Sequence, residues 1–296
     1  MALVSDLLAP GTLLDGAMGT ELLGRGLSLD AEPPELWNLT RPDTVADVHA
    51  RYVRAGSEAV QTNSFGGNRV RLDRYGLAER GYELNVAAAR LARESGARVI
   101  LGSMGPTGET PPPEGEANLV DMEQAFAEQA LALAEGGVDV LHLETMYHPK
   151  EARAALRGCR IGAPGLPVIA SMTCQYEGSS YSTGFGFTPE SLLQVFLEER
   201  ADGIGVNCSI GPATMLDVIR LIRTRYRGFI LAKPTIAPTN EAPLLPGEFA
   251  TGALALFAVG ATAVGGCCGT GPADIAAARA AIDERKPRSA RHAPSP

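Results

Sequence analysis

Cys267 and Cys268 stand side by side in VGGCCGT (residues 264–270), and a third cysteine, Cys208, sits in GIGVNCS (203–209). Three thiolates on a rigid frame make a tetrahedral zinc site with one position open, the arrangement of a catalytic rather than a structural zinc. Two other readings compete: a pair of small packed hydrophobes, or a redox-active dithiol, with Cys208 an unrelated buried residue. Adjacent residues of an extended strand point to opposite faces, so both cysteines reach one metal only where the strand has ended and the backbone turns. Gly265, Gly266 and Gly269 are expected to permit that turn. Cys159, in the loop-like LRGCRIG, is read as structural or incidental, and Cys174 lies beside a strand end with a one-residue offset that aims it away from the site.

The elements that would position these thiols alternate along the chain. Short aliphatic runs at 12–15, 58–62, 98–103, 139–144, 167–173, 203–207, 229–233 and 262–265 are each followed by a helical segment. The clearest helices cover 80–95, 121–136, 149–158, 189–200, 213–225 and 272–284, several opening with Pro or Asp in the first turn. Eight such units predict a single-domain α/β protein, a (β/α)8 TIM barrel over residues 1–285, rather than an open doubly wound sheet. GPTGETPPPEGEAN (105–118) reads as a long loop, and KPRSARHAPSP (286–296) as a disordered C-terminal tail.

In barrel enzymes the chemistry occupies the carboxyl ends of the strands. Here those ends carry Asp15-Gly16, Thr62-Asn63-Ser64, Glu144-Thr145, Thr173-Cys174, Asn207-Cys208-Ser209, Lys233 and Cys267-Cys268. His142, two residues before Glu144, is expected inside the barrel, and His148 at the surface. The gathering of polar groups marks this end as the functional one.

Composition narrows the partners. The 296 residues are 45% hydrophobic, 20% charged and 5% aromatic, with a formal charge of -8. That acidic balance argues against nucleic acid and anionic membrane, because phosphate-tracking proteins show a basic surplus. No signal-like N-terminus and no long apolar run occurs, so a cytoplasmic protein is expected. Five cysteines are an odd number, which fits reduced thiols or metal ligands better than a disulfide framework.

LLDGAMGTEL (13–22), QTNSFGGNR (61–69), LGSMGPTGE (101–109), EGGVDVLHLETM (135–146), GIGVNCS and GGCCGT (265–270) together resemble the homocysteine S-methyltransferase family from about residue 10 to about residue 283. Within it, DGAMGT and TNSFGGNRVRLDRYGL look most like the homocysteine module of cobalamin-dependent methionine synthases and like betaine-homocysteine methyltransferases. The resemblance implies a (β/α)8 barrel with Zn2+ held by Cys208, Cys267 and Cys268. It also implies that Asp15 and Glu144 bind the ammonium of homocysteine. The backbone of Gly16, Ala17, Met18, Gly19 and Thr20 would receive its carboxylate, Thr62 and Asn63 would line the same mouth, and Asn207 would orient the zinc-binding loop. The competing roles are a helix N-cap for Asp15 and a buried ion pair with Lys233 for Glu144.

The implied activity is zinc-dependent methyl transfer to the homocysteine thiol, giving methionine. A free thiol is mostly protonated at neutral pH, and bound zinc supplies the thiolate without a base. The donor is open between a betaine, a methylsulfonium, S-adenosylmethionine and a methylcorrinoid. The sequence stops after its last helix, so a corrinoid-bound methyl group is expected to arrive in trans on a partner protein; an oligomer is equally compatible. The alternatives are another thiol acceptor, or a barrel acting only with a corrinoid partner. Trp37, Tyr52, Phe65, Tyr75 and Tyr82 are candidates for a cage around an onium donor. One departure stands out: where the family reads Pro-Asn-Ala-Gly after the seventh strand, this chain has KPTIAPTN (233–240), and Ile236 is expected to narrow the mouth.

Overall fold

The computed structural model describes residues 3–237 and 242–285. Among the described residues ten strands run in chain order: β1 Thr12–Leu13, β2 Ala59–Gln61, β3 Val99–Met104, β4 Val140–Met146, β5 Val168–Met172, β6 Gln175–Tyr176, β7 Tyr181–Ser182, β8 Gly203–Asn207, β9 Phe229–Lys233 and β10 Ala263–Val264. Eight of them form one parallel sheet in the order β1-β10-β9-β8-β5-β4-β3-β2. A parallel bridge from Leu14 to Ala59 joins its first strand to its last, so the sheet closes into a (β/α)8 barrel. Every strand expected from the aliphatic runs is present, 203–207 and 229–233 with the expected ends and the others with ends moved by one or two residues.

These strands are buried on both faces, which is why they read as continuous aliphatic runs. Residues two apart share a face. Val99 and Leu101 join Leu14, Ala59, Val140, Ile169, Phe229, Leu231 and Ala263 in a cluster filling the barrel, closed off by Val4 and Leu8. The intervening Ile100 and Met104 instead belong to the larger core between sheet and helices. The outer helices include Pro42–Arg54, Gly81–Glu94, Leu119–Gly136, Pro149–Gly162, Pro189–Glu198, Pro212–Arg225, Pro246–Ala258 and Pro272–Arg285. Proline at the first turn suits a position whose N–H has no helical acceptor.

Three expectations change. The helix expected over 149–158 continues through LRGCRIG to Gly162, so Cys159 is helical and buried, within 3.8 Å of the Met104 sulfur. His148 is buried rather than at the surface: it caps that helix through Lys150 N–H and stands edge-on to Phe185 and Phe187. A small antiparallel hairpin, β6 with β7, follows β5 and was not anticipated. Residues 105–118 form the long loop expected of them, and 286–296 lie outside the described residues. Among the described residues, no helix is long and apolar enough to cross a membrane.

Candidate metal and amino-acid site

Cys208 follows β8 directly, and the cysteine pair follows β10, so both approach the carboxyl mouth from fixed strand ends. All three sulfur atoms lie within 4.8 Å of one another, with Cys208 and Cys268 sulfurs 3.5 Å apart. Tetrahedral zinc with Zn–S near 2.3 Å needs sulfurs about 3.8 Å apart, so these residues fit such an ion. Hydrogen bonds from the Cys208 and Cys267 thiols hold Cys268 below the usual thiol range, while hydrogen bonds with Cys208 and Cys268, and burial, hold Cys267 above it. A cation is the natural complement of that cluster. Cys174 is elsewhere, buried in the apolar core with its thiol pushed up to about 12 by burial.

The turns that present these thiols are strained and braced. Thr145, Cys208 and Ser209 hold left-handed φ values of 63°, 64° and 56°, a region costing on the order of 1–3 kcal/mol for each non-glycine residue. Asn207 holds part of this geometry: its Oδ1 accepts the Thr145 N–H at 2.7 Å, and its Nδ2 donates to Thr145 Oγ1 at 2.8 Å and approaches Cys267 Sγ at 3.9 Å. Of the three glycines expected to turn the cysteine loop, only Gly269 uses a positive φ, 84°. Gly266 is needed for space: a Cβ there would come within 2.1 Å of the Thr270 side chain. Once the cluster is loaded with zinc, the Asn207→Ala variant is expected to bind it about 10- to 100-fold more weakly, as loss of a ligand-orienting partner does. Competition with a chromophoric chelator measures this; unchanged affinity would remove Asn207 from the bracing role.

KPTIAPTN braces the same loop. Cys267 N–H donates to Pro234 O, Ile236 N–H and Thr235 Oγ1 to Cys268 O. Ile236 is buried against Gly269 and does not line the mouth, so the expected narrowing is absent. Residues 238–240 of that stretch lie outside the described residues.

Beside the thiols the barrel interior turns polar. Asp15 is 2% exposed, Lys233 3% and Glu144 8%. Asp15 caps no helix; the N-cap of Met18–Leu23 is Ala17. The ion pair of Lys233 is with Asp15, at 3.0 Å, and not with Glu144. Glu144 accepts from Gln61 Nε2 at 2.7 Å, from Ser103 Oγ, and from Asn207 Nδ2 at 3.3 Å. Burial raises both carboxyls above their ordinary range, and the Lys233 ammonium opposes it in each case. Gln61 and Ser103 escaped the sequence reading, although they share the interior-facing phase of Asn207 and Lys233. His142 is inside the barrel as expected, against Ser171 Oγ at 2.7 Å, and burial holds it neutral.

A cavity of about 410 Å3 joins the thiols to these carboxylates. Gly16, Ala17, Met18, Gly19, Thr20, Thr62 and Asn63 all line it. Their polar groups differ in availability. Ala17 N–H is taken by Thr270 O at 2.9 Å, whereas Met18, Gly19 and Thr20 open a helix that no side chain caps. Thr62 Oγ1 is occupied by Ser64 and Ser103 N–H, and the Asn63 amide by Pro34 O and Asn38, so both brace the wall. Of the aromatic candidates only Phe65 and Tyr75 reach the cavity; Trp37 and Tyr52 are buried and Tyr82 faces outward elsewhere. They do not form a cage.

The class of protein is a closed parallel barrel whose carboxyl mouth holds three convergent thiols and a buried carboxylate pair around one cavity. The chain belongs to the homocysteine S-methyltransferase family, whose model matches residues 12–282. It is 36% identical over 296 residues to a methionine synthase of Mycobacterium tuberculosis, covering 90% of this chain and 24% of that protein. A methionine synthase of Mycobacterium leprae is 34% identical over 307 residues, covering 94% and 25%. The chain therefore spans about a quarter of the length of these relatives. Its fold is similar to the metallated form of the homocysteine methyltransferase MmuM from Escherichia coli, with a TM-score of 0.73 at 24% identity over 91% of this chain and 95% of that one.

Proposed function

We propose that this chain is a zinc-dependent methyltransferase that moves a methyl group to the sulfur of homocysteine, giving methionine, with residues 1–285 as the working unit. The observation that carries this reading is the convergence of Cys208, Cys267 and Cys268 within 4.8 Å on the cavity that also receives Glu144. Zinc held by these three thiolates would keep the substrate sulfur as a nucleophilic thiolate at neutral pH.

The remaining work falls to the protein. Glu144, fixed by Gln61, Ser103 and Asn207, takes the substrate ammonium. The uncapped N–H groups of Met18, Gly19 and Thr20 offer the substrate carboxylate hydrogen bonds at a helix N-terminus. Two anchored ends leave the sulfur one direction of attack, which is where an in-line displacement gains most. The sulfur lone pair forms the new S–C bond as the bond from carbon to its donor breaks, and that bonding pair leaves with the donor. The cavity exceeds what one homocysteine fills, and its apolar end, lined by Leu23, Leu29, Pro33, Phe65 and Tyr75, is open to the donor.

The test is a panel of donors offered to the zinc-loaded protein with homocysteine: a betaine, a methylsulfonium, S-adenosylmethionine and a methylcorrinoid. Methionine should form with at least one of them and cease when zinc is stripped. Turnover confined to the methylcorrinoid would identify a corrinoid as the donor. Failure with every donor, or transfer only to other thiols, would overturn the proposal.

A further inference from the structure

Two cations line the cavity that joins the thiols to the carboxylates, Lys233 and Arg71. Lys233 is held by Asp15 at 3.0 Å. Arg71 differs: among the described residues no carboxylate lies within ion-pair distance of it, and its guanidinium makes one hydrogen bond, from Nη1 to Pro106 O at a long 3.3 Å. A guanidinium carries five N–H donors, so most of these are open to a ligand. The group is nonetheless fixed in place. Its central carbon stands 5.0 Å from the centroid of the Phe65 ring, a stacking that suits arginine. Phe65 is itself backed by Gly105, where a Cβ would overlap the ring. Gly66 leaves the room that the arginine needs, since a Cβ there would come within 3.1 Å of Arg71 Cδ and Nε. Glu35, on the same wall, accepts the Gly66 N–H at 2.6 Å, which ties it to the backbone rather than to Arg71.

Arg71 belongs to the Arg69–Asp73 helix that follows β2, and β2 lies four places from β8, the strand of Cys208, in either direction around the closed barrel. The unpaired cation and the Cys208 thiol therefore come from opposite sides of the mouth. With zinc bound, three cysteine thiolates and a substrate thiolate outweigh the two positive charges of the ion. The thiol side then attracts the cationic end of a methyl donor and repels any anion that the donor carries. We propose that Arg71 binds the carboxylate of a zwitterionic onium donor and thereby sets donor specificity, turning the onium methyl toward the substrate sulfur. This rests on the proposed methyl transfer to homocysteine and narrows its donor to a small sulfonium or ammonium compound with its own carboxylate. The step balances without a co-reactant. The homocysteine thiolate forms the S–CH3 bond as the bond from methyl to the onium atom breaks. That bonding pair stays on the donor, which leaves as a carboxylate bearing a neutral thioether or tertiary amine.

Matched donors read the contact. Dimethylsulfoniopropionate is compared with (3-hydroxypropyl)dimethylsulfonium, and glycine betaine with choline; each pair keeps the onium centre and exchanges the carboxylate for a hydroxymethyl group. Methionine formation is followed for zinc-loaded wild type and Arg71→Met, each checked for zinc content. Wild type should use at least one carboxylated donor with kcat/KM on the order of tenfold or more above its alcohol. Arg71→Met should raise KM for that donor on the order of ten- to a hundredfold, with the alcohol and homocysteine each within about twofold. Equal loss for both members of a pair would make Arg71 a wall residue, and a raised KM for homocysteine would give it the substrate carboxylate; either overturns the proposal. Should Arg71→Met not fold, Arg71→Gln, which keeps a polar head against Phe65, is read in the same way. Wild-type turnover without preference for the carboxylate, or from a methylcorrinoid alone, would also overturn the role of Arg71 while homocysteine methylation stands. No methionine from any donor would bring down the proposed function, and the donor contact with it.

Discussion

On the proposed zinc-dependent methyl transfer, Cys208→Ala is expected to abolish both metal binding and activity. Cys208 stands alone on its turn after β8, whereas Cys267 and Cys268 share a loop, so no neighbouring thiol can replace it. Two thiolates would remain, too few to enclose an ion while leaving one position for a substrate sulfur. Loss of a ligand-orienting partner typically costs 10- to 100-fold in metal affinity, so loss of the ligand itself should cost at least about 100-fold. Zinc should fall from about one per chain to a small fraction after dialysis against a chelator. Methionine formation should fall at least as far as bound zinc, while the fold holds, because Cys208 lies on a partly exposed turn outside the apolar core. Cys174→Ala is the control: its thiol is buried away from the cluster, and zinc should be retained. Elemental analysis beside a methionine assay gives the answer. Stoichiometric zinc and full activity in Cys208→Ala would dismantle the site.

The barrel could be read in the sequence because its strands are buried on both faces and so stay aliphatic throughout. The thiol site was legible for a related reason: it sits at strand ends, whose places in a parallel barrel are fixed once the strands are found. What escaped depends on packing between distant segments. Gly158 and Gly162 looked like the close of a helix, yet the helix runs on because both lie against the Leu119–Gly136 helix, where a Cβ would meet Glu123 O at 2.5 Å and Ala127 O at 2.0 Å. His148 looked exposed because nothing near it in sequence covers it; Phe185 and Phe187 do.

The pairing of charges was the hardest to foresee. Lys233 and Asp15 belong to strands separated by β10, so no local pattern links them, and the sequence left Glu144 as the candidate partner of Lys233. Phase supplies the missing rule. Ser103 shares the interior face with Val99 and Leu101, and Lys233 with Phe229 and Leu231. Counting by twos from the apolar interior layer therefore brings Gln61, Ser103 and Lys233 to the floor of the cavity, and counting from Val140 adds Glu144. Thr62, out of phase with Gln61, turns its hydroxyl onto Ser64 and Ser103 and braces the wall instead.

Stability in acid should depend on a residue remote in role from the thiols. His49 lies on the Pro42–Arg54 helix, fully buried, and neither ring nitrogen has a hydrogen-bond partner among the described residues. Burial therefore lowers its pKa from 6.5 to about 4. In the unfolded chain the imidazole takes a proton as pH falls through 6.5, while the folded protein refuses it until about 4. His49 is thus neutral in both states at high pH and costs no proton-linked stability there; between those limits the unfolded state gains, and stability is lost as pH falls. The loss amounts to about 2 kcal/mol near pH 5 and about 3 kcal/mol near pH 4. Asp15, Glu35, Glu144 and Glu151 act in the opposite sense, because burial raises their pKa values and the folded protein takes up their protons more readily. A difference measurement separates the two. Urea unfolding of wild type and His49→Leu at neutral pH and near pH 5 and 4 cancels the carboxylates common to both, leaving the histidine. His49→Leu should gain on wild type by about 2 to 3 kcal/mol across that range, whatever its offset at neutral pH. A difference constant to within about 0.5 kcal/mol would mean that His49 is hydrated or partnered in solution and titrates normally.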